Sequence, residues 1–167
     1  MKKPALYPDT SIISAYWYDE ADVPMLARRL RTRDWWEAER RHFAIWASLA
    51  VERELRAGRY SRQRECLRMV RRLRYVPLTR DAEELADRLA VTGIIPESKP
   101  IDALQLAICV VNEIDYLISW NYAHLANPIV QVQLVRLCEK EGLRAPLLVS
   151  PESIPQVRLG QDIRRRS

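Results

Sequence analysis

The stretch Pro100-Ile101-Asp102-Ala103-Leu104-Gln105-Leu106-Ala107-Ile108-Cys109-Val110-Val111-Asn112, followed by Asp115-Tyr116-Leu117-Ile118-Ser119-Trp120-Asn121, decides the fold. The first part reads as a helix over residues 100–112, with a proline in its first turn. It is apolar almost all round, so it predicts a buried helix. The second part predicts a short strand over 115–119 that does not alternate polar and apolar residues. Strands of that kind belong to a parallel sheet covered on both faces.

Working outward, the same alternation recurs. Residues 5–9 read as a strand and 11–17 as a short helix. Asp22 or a neighbour opens a long helix over about 23–42, with Pro24 in its first turn. An apolar strand follows at 43–48, then a helix to Gly58 and another over about 61–73. A strand is expected at 74–78, a helix from Thr79 to Gly93, and a loop holding Pro96 and Pro100. Asn121 opens a turn or short helix, a helix runs from Pro128 to Gly142, and 147–149 is the last strand. The fold class is therefore α/β, with one domain over 1–155 and a basic tail over 156–167 ending in Arg164-Arg165-Arg166.

Sites in open parallel sheets lie at the carboxyl ends of strands. Asp9 ends the first strand, Glu54 follows the second, Asp102 opens the helix feeding the fourth, and Asn121 follows the fourth. Carboxylates on apolar elements are costly to bury alone and become sensible when they share a divalent cation. An all-oxygen set suits Mg²⁺ or Mn²⁺. Each acid also has a plainer explanation. Asp9 can cap a helix, Asp102 can complement a helix dipole, and Glu54 can be a surface acid beside Arg53 and Arg56.

Composition removes several other classes. Only two histidines and no Cys-x-x-Cys pair are present, against a zinc site or thioredoxin motif. Cys66, Cys109 and Cys138 read as small core residues. The four glycines are scattered where helices would stop, which excludes a P-loop and a dinucleotide fingerprint. No apolar run is long enough to span a membrane, and a cytoplasmic protein is expected. The net charge of +5 is carried mostly by arginine, which grips phosphate bidentately. Nine arginines fall between Arg53 and Arg74, and Arg64, Arg68 and Arg71 are expected to line an RNA-backbone track. The alternative is a solvated basic face. Trp17, Trp35, Trp36 and Trp46 suit either base stacking or packing.

Four segments in order resemble the PIN-domain nucleases, close to the VapC-type toxins and related stand-alone PIN proteins. They are Tyr7-Pro8-Asp9-Thr10-Ser11; Ser48-x-x-Val51-x-x-Glu54-Leu55-x-x-Gly58; Pro100-Ile101-Asp102-Ala103-x-x-x-Ala107; and Ser119-Trp120-Asn121-x-x-His124-x-x-Asn127. Only Glu54, not Glu52, matches the spacing of the second segment. The resemblance implies a three-layer α/β/α sandwich and a Mg²⁺- or Mn²⁺-dependent endoribonuclease. It implies catalytic roles for Asp9, Glu54, Asp102 and Asn121, with the three acids as metal ligands. It also implies an RNA substrate, a small antitoxin as partner in a toxin–antitoxin pair, and a homodimer. The alternative function is a non-catalytic PIN module that binds RNA or protein. Many relatives have Asp where this chain has Asn121, so the site carries three carboxylates rather than four. Thr10 and Ser119 are expected to orient the ligands. His124 is expected to pack or to meet phosphate, and Asp115 to be structural.

Overall fold

The computed structural model describes residues 2–154; the basic tail and Gly160 lie outside them. Five strands form one all-parallel sheet in the order β3-β2-β1-β4-β5. The strands are β1 Ala5–Pro8, β2 Ala44–Ala47, β3 Arg74–Tyr75, β4 Tyr116–Ile118 and β5 Leu147–Val149. Seven helices connect them among the described residues: α1 Thr10–Trp17, α2 Val23–Glu39, α3 Leu49–Ala57, α4 Gln63–Val70, α5 Arg80–Val91, α6 Pro100–Val111 and α7 Pro128–Glu141. This is the expected α/β/α sandwich.

Side-chain alternation along the central strands builds the three layers. Tyr7 and Leu117 point into one core, packed with residues of α3, α5, α6 and α7. Leu6, Tyr116 and Ile118 enter the other, packed with Trp35 and Trp36 of α2 and with Phe43. Helix α1 serves both, Ile12 on one side and Ile13 on the other. All three cysteines are buried and free, as the sequence suggested. Trp35 and Trp36 are buried too, so packing accounts for them.

Local chemistry fixes the boundaries. Asp22, Ser48, Thr79 and Asn127 each accept a backbone N–H at a helix start. Gly142 ends α7 in the left-handed conformation that glycine adopts without strain. Three elements are shorter than the sequence predicts. The long second helix becomes 3₁₀ over Arg40–His42. Helix α4 begins at Gln63 because Ser61 bonds Asp19 and Arg62 is left-handed at φ 52°. Strand β3 stops at Tyr75; Val76 still donates to Ala47 O, but Pro77 has no N–H to continue the ladder.

Candidate active site

Asp9 sits where β1 passes into α1, with its backbone N–H donating to Ile118 O of β4. Its carboxylate caps α1 by accepting from Ile12 N at 3.3 Å. It also accepts from Ser11 Oγ at 2.5 Å and from Ser119 Oγ at 2.6 Å. Ser11 accepts in turn from Trp120 N at 2.8 Å, and Ser119 from Asn121 N at 2.9 Å. Hydroxyls from the first turn of α1 and from the end of β4 thereby lock the carboxylate in place. Asp9 is only 4% exposed, and burial pushes its pKa up to about 7 against the pull of these bonds.

Glu54 lies on α3 and reaches across to α1 and α6. It accepts from Thr10 Oγ1 and, at 2.8 Å, from Gln105 Nε2. Gln105 also donates to Thr10 at 3.3 Å. Burial raises the Glu54 pKa, and the nearby charge of Asp102 raises it further. Asp102 stands in the first turn of α6 and accepts from Asn121 Nδ2 at 3.0 Å. Burial raises its pKa as well, countered by the positive influence of His124, the Asn121 bond and Lys99. Asn121 spends its carbonyl oxygen on the backbone N–H of His124 at 3.1 Å. It therefore shapes the turn after β4 and holds Asp102 by its amide.

The four expected residues thus meet at one edge of the sheet, joined by hydrogen bonds or mutual charge. Thr10 and Ser119 orient two of them. Asp115 does not join: it accepts from Ala5 N at 2.7 Å and pairs with Arg144 at 2.8 Å, at the amino end of the strands. Glu52 also faces elsewhere, toward Arg56, Arg71 and Tyr75. Two residues with roles in the site, Gln105 and Ser11, were not singled out from the sequence. Gln105 lies three residues after Asp102, on the same helical face, and that spacing was the available signal.

No group of three or more His, Cys, Asp or Glu among the described residues is gathered closely enough, as the side chains lie, to hold a metal ion. The donor chemistry nonetheless fits a hard dication. None of the three carboxylates forms an ion pair among the described residues. Gln105 turns its amide nitrogen to Glu54, and its side-chain oxygen is buried with no hydrogen-bond partner. The site is a set of buried and half-buried carboxylates with no ion pair among the described residues, His124 and Lys99 acting on Asp102 from a distance.

The arginine-rich segment does not form one free track. Arg56 and Arg71 are bound to Glu52, and Arg62 to Glu65 and Asp19. Arg68 and Arg72 are free of ion pairs among the described residues.

No protein-family model matches this chain, and no curated protein matches its sequence. Solved structures do match its fold. VapC20 of Mycobacterium tuberculosis, described as a sarcin-ricin loop cleaving toxin, aligns with TM-score 0.56 and 19% identity, over 71% of this chain and 92% of that one. VapBC2 of Rickettsia felis, solved with a DNA fragment from its promoter, aligns with TM-score 0.51 and 13% identity, over 87% of this chain and 96% of that one. At these identities the likeness is one of fold, and it supports the resemblance to VapC-type PIN proteins.

Proposed function

We propose that this chain is a Mg²⁺- or Mn²⁺-dependent endoribonuclease, the toxin of a toxin–antitoxin pair, acting in the cytoplasm. The observation that carries this reading is the convergence of Asp9, Glu54 and Asp102, from three distant segments, without an ion pair among the described residues. A structural acid cluster gains nothing from burial and pays a desolvation penalty. A cluster that binds a dication and an RNA phosphate has a reason for its charge.

Asp9, Glu54 and Asp102 would hold the cation, with Gln105 orienting Glu54 through its amide N–H. When bound, the cation supplies charge neutralisation for the anionic phosphodiester and a lowered pKa for water. The protein's own residues do the rest. Ser11 and Ser119 fix the Asp9 carboxylate, so it pays little to become ordered. Thr10 and Gln105 hold one oxygen of Glu54, leaving the other free of side-chain hydrogen bonds. Asn121 steadies Asp102 and supplies no charge of its own. The proposed partners are an RNA substrate, a small antitoxin and a second copy of the chain. The fold likeness to a toxin described as cleaving the sarcin-ricin loop, and to a VapBC pair, supports this reading.

One observation favours a second reading, a non-catalytic module binding RNA or protein. The Asn121 carbonyl is engaged with His124 N and so is not a free ligand. A mixed RNA pool separates the two. The ribonuclease reading expects Mn²⁺- or Mg²⁺-dependent cleavage that EDTA stops and Asp102→Asn abolishes. RNA bound but left intact under every metal condition favours the second.

A further inference from the structure

Two adjoining grooves lie apart from the carboxylate site. The first, about 350 Å³, is lined by Tyr16 and Trp17 at the end of α1, by Arg40, and by Arg68 and Arg72. The second, about 560 Å³, shares Arg40, Arg72 and Leu73 with the first and adds Lys3, Arg41 and Arg74. The shared residues set the two grooves side by side, an arginine-lined channel with Arg40 and Arg72 between its halves.

The channel is rich in donors and poor in acceptors. No ion pair engages Arg40, Arg41, Arg68, Arg72 or Arg74 among the described residues. Its acidic members are Glu65, already paired with Arg62 at 2.9 Å, and Glu37. Arg40 lies over the Trp36 ring at 5.6 Å and Arg74 over Trp46 at 5.8 Å, which positions both guanidinium groups. The buried indole N–H of Trp17 has no acceptor. A ligand here must bring acceptors and negative charge.

Three features choose among anions. The cations are spread over both grooves, which suits an elongated polyanion rather than a single phosphate. They are mostly arginine, whose planar fork matches phosphate oxygens. Half-buried Tyr16 and Trp17 line the first groove with Arg68 and Arg72, the combination that binds single strands through phosphate contact and base stacking. Helix α1 begins beside Asp9 and ends at Trp17, a span of about 12 Å, so the first groove lies one helix length from the carboxylates and the second runs on to the amino ends of β1, β2 and β3.

We propose that this channel binds the single-stranded flank of an RNA whose scissile phosphate lies at the carboxylates. The proposal rests on the ribonuclease reading, and it replaces the sequence-derived track, since Arg71 is withdrawn by Glu52 and Arg40 joins from outside that segment.

The test is fluorescence anisotropy with a labelled, fully 2′-O-methylated RNA strand of about twelve nucleotides. It is run in EDTA, so binding is measured without cleavage. Arg68→Gln/Arg72→Gln should bind about 10-fold or more weakly at low salt. The slope of log affinity against log salt should fall by about 1.4, two phosphate contacts at ~0.7 each. Arg80→Gln, at an exposed arginine of α5 paired with Glu84 outside both grooves, should bind as the wild type does. An unchanged affinity and slope in the double variant, with its circular dichroism native, overturns the proposal. So does a polyglutamate peptide that displaces the RNA at equal concentration, which would assign the channel to an acidic protein segment. Arginine-dependent binding in a protein that never cleaves RNA would refute the ribonuclease and leave the channel standing; cleavage with arginine-independent binding would do the reverse.

Discussion

Glu52 gathers three neighbours around one carboxylate. Its side chain is 12% exposed. It accepts from Arg56 at 2.7 Å, from Arg71 at 3.0 Å and from Tyr75 at 2.8 Å, tying α3 to the end of α4 and to β3. The Arg56 bond, then the Tyr75 bond, lowers its pKa from the ordinary 4.5 to about 2. That difference corresponds to about 3 kcal/mol of stability at neutral pH. The two arginines are 57% and 49% exposed, so solvent screening reduces it to about 1–2 kcal/mol. The sign follows from the depressed pKa: the stabilisation is full above 4.5 and is lost as pH falls through about 2. Glu52→Gln keeps an oxygen for Tyr75 and removes the charge. Urea unfolding at pH 7 should show the variant about 1–2 kcal/mol less stable, and the gap should shrink to about half by pH 3. Equal stability at pH 7, or a gap that does not narrow in acid, would refute this account of Glu52.

Asp9→Asn removes a buried charge that has no ion-pair partner. In EDTA it should raise stability by about 1–3 kcal/mol by chemical unfolding, while abolishing cleavage with metal. Thr32→Val deprives the buried Trp120 indole N–H of its acceptor at 2.8 Å, and should cost about 1–3 kcal/mol in the same assay. Asn121→Asp would set a second carboxylate 3.0 Å from Asp102 Oδ2. It should lower the melting temperature in EDTA and enlarge the upward shift produced by Mn²⁺; an Mn²⁺ shift equal to that of the wild type would place Asn121 outside the metal site.

The layered fold was legible because helix and strand stretches alternate and the strands other than β3 are mainly apolar. The convergence of Asp9, Glu54, Asp102 and Asn121 was legible because parallel sheets bring strand ends to one edge. What could not be read lies in side-chain competition. Arg71 has the right helical spacing for a basic face, yet Glu52 on another helix captures it. Gln105 looks like one polar residue in an apolar helix until α1 and α3 place Thr10 and Glu54 against its amide. The sequence likewise offered no means of joining Arg40 to Arg68 and Arg72, which meet only because the end of α2 packs near α4.

The central claim is that three acids from separate segments share one divalent cation. Calorimetric titration with Mn²⁺ tests it most directly, on the wild type and on Asp9→Asn, Glu54→Gln and Asp102→Asn. The account predicts one site in the wild type, and affinity lowered at least ~10-fold in every variant, since each loses a charged oxygen ligand. Wild-type protein that binds no Mn²⁺, or variants that bind it as tightly as the wild type, would contradict the shared site.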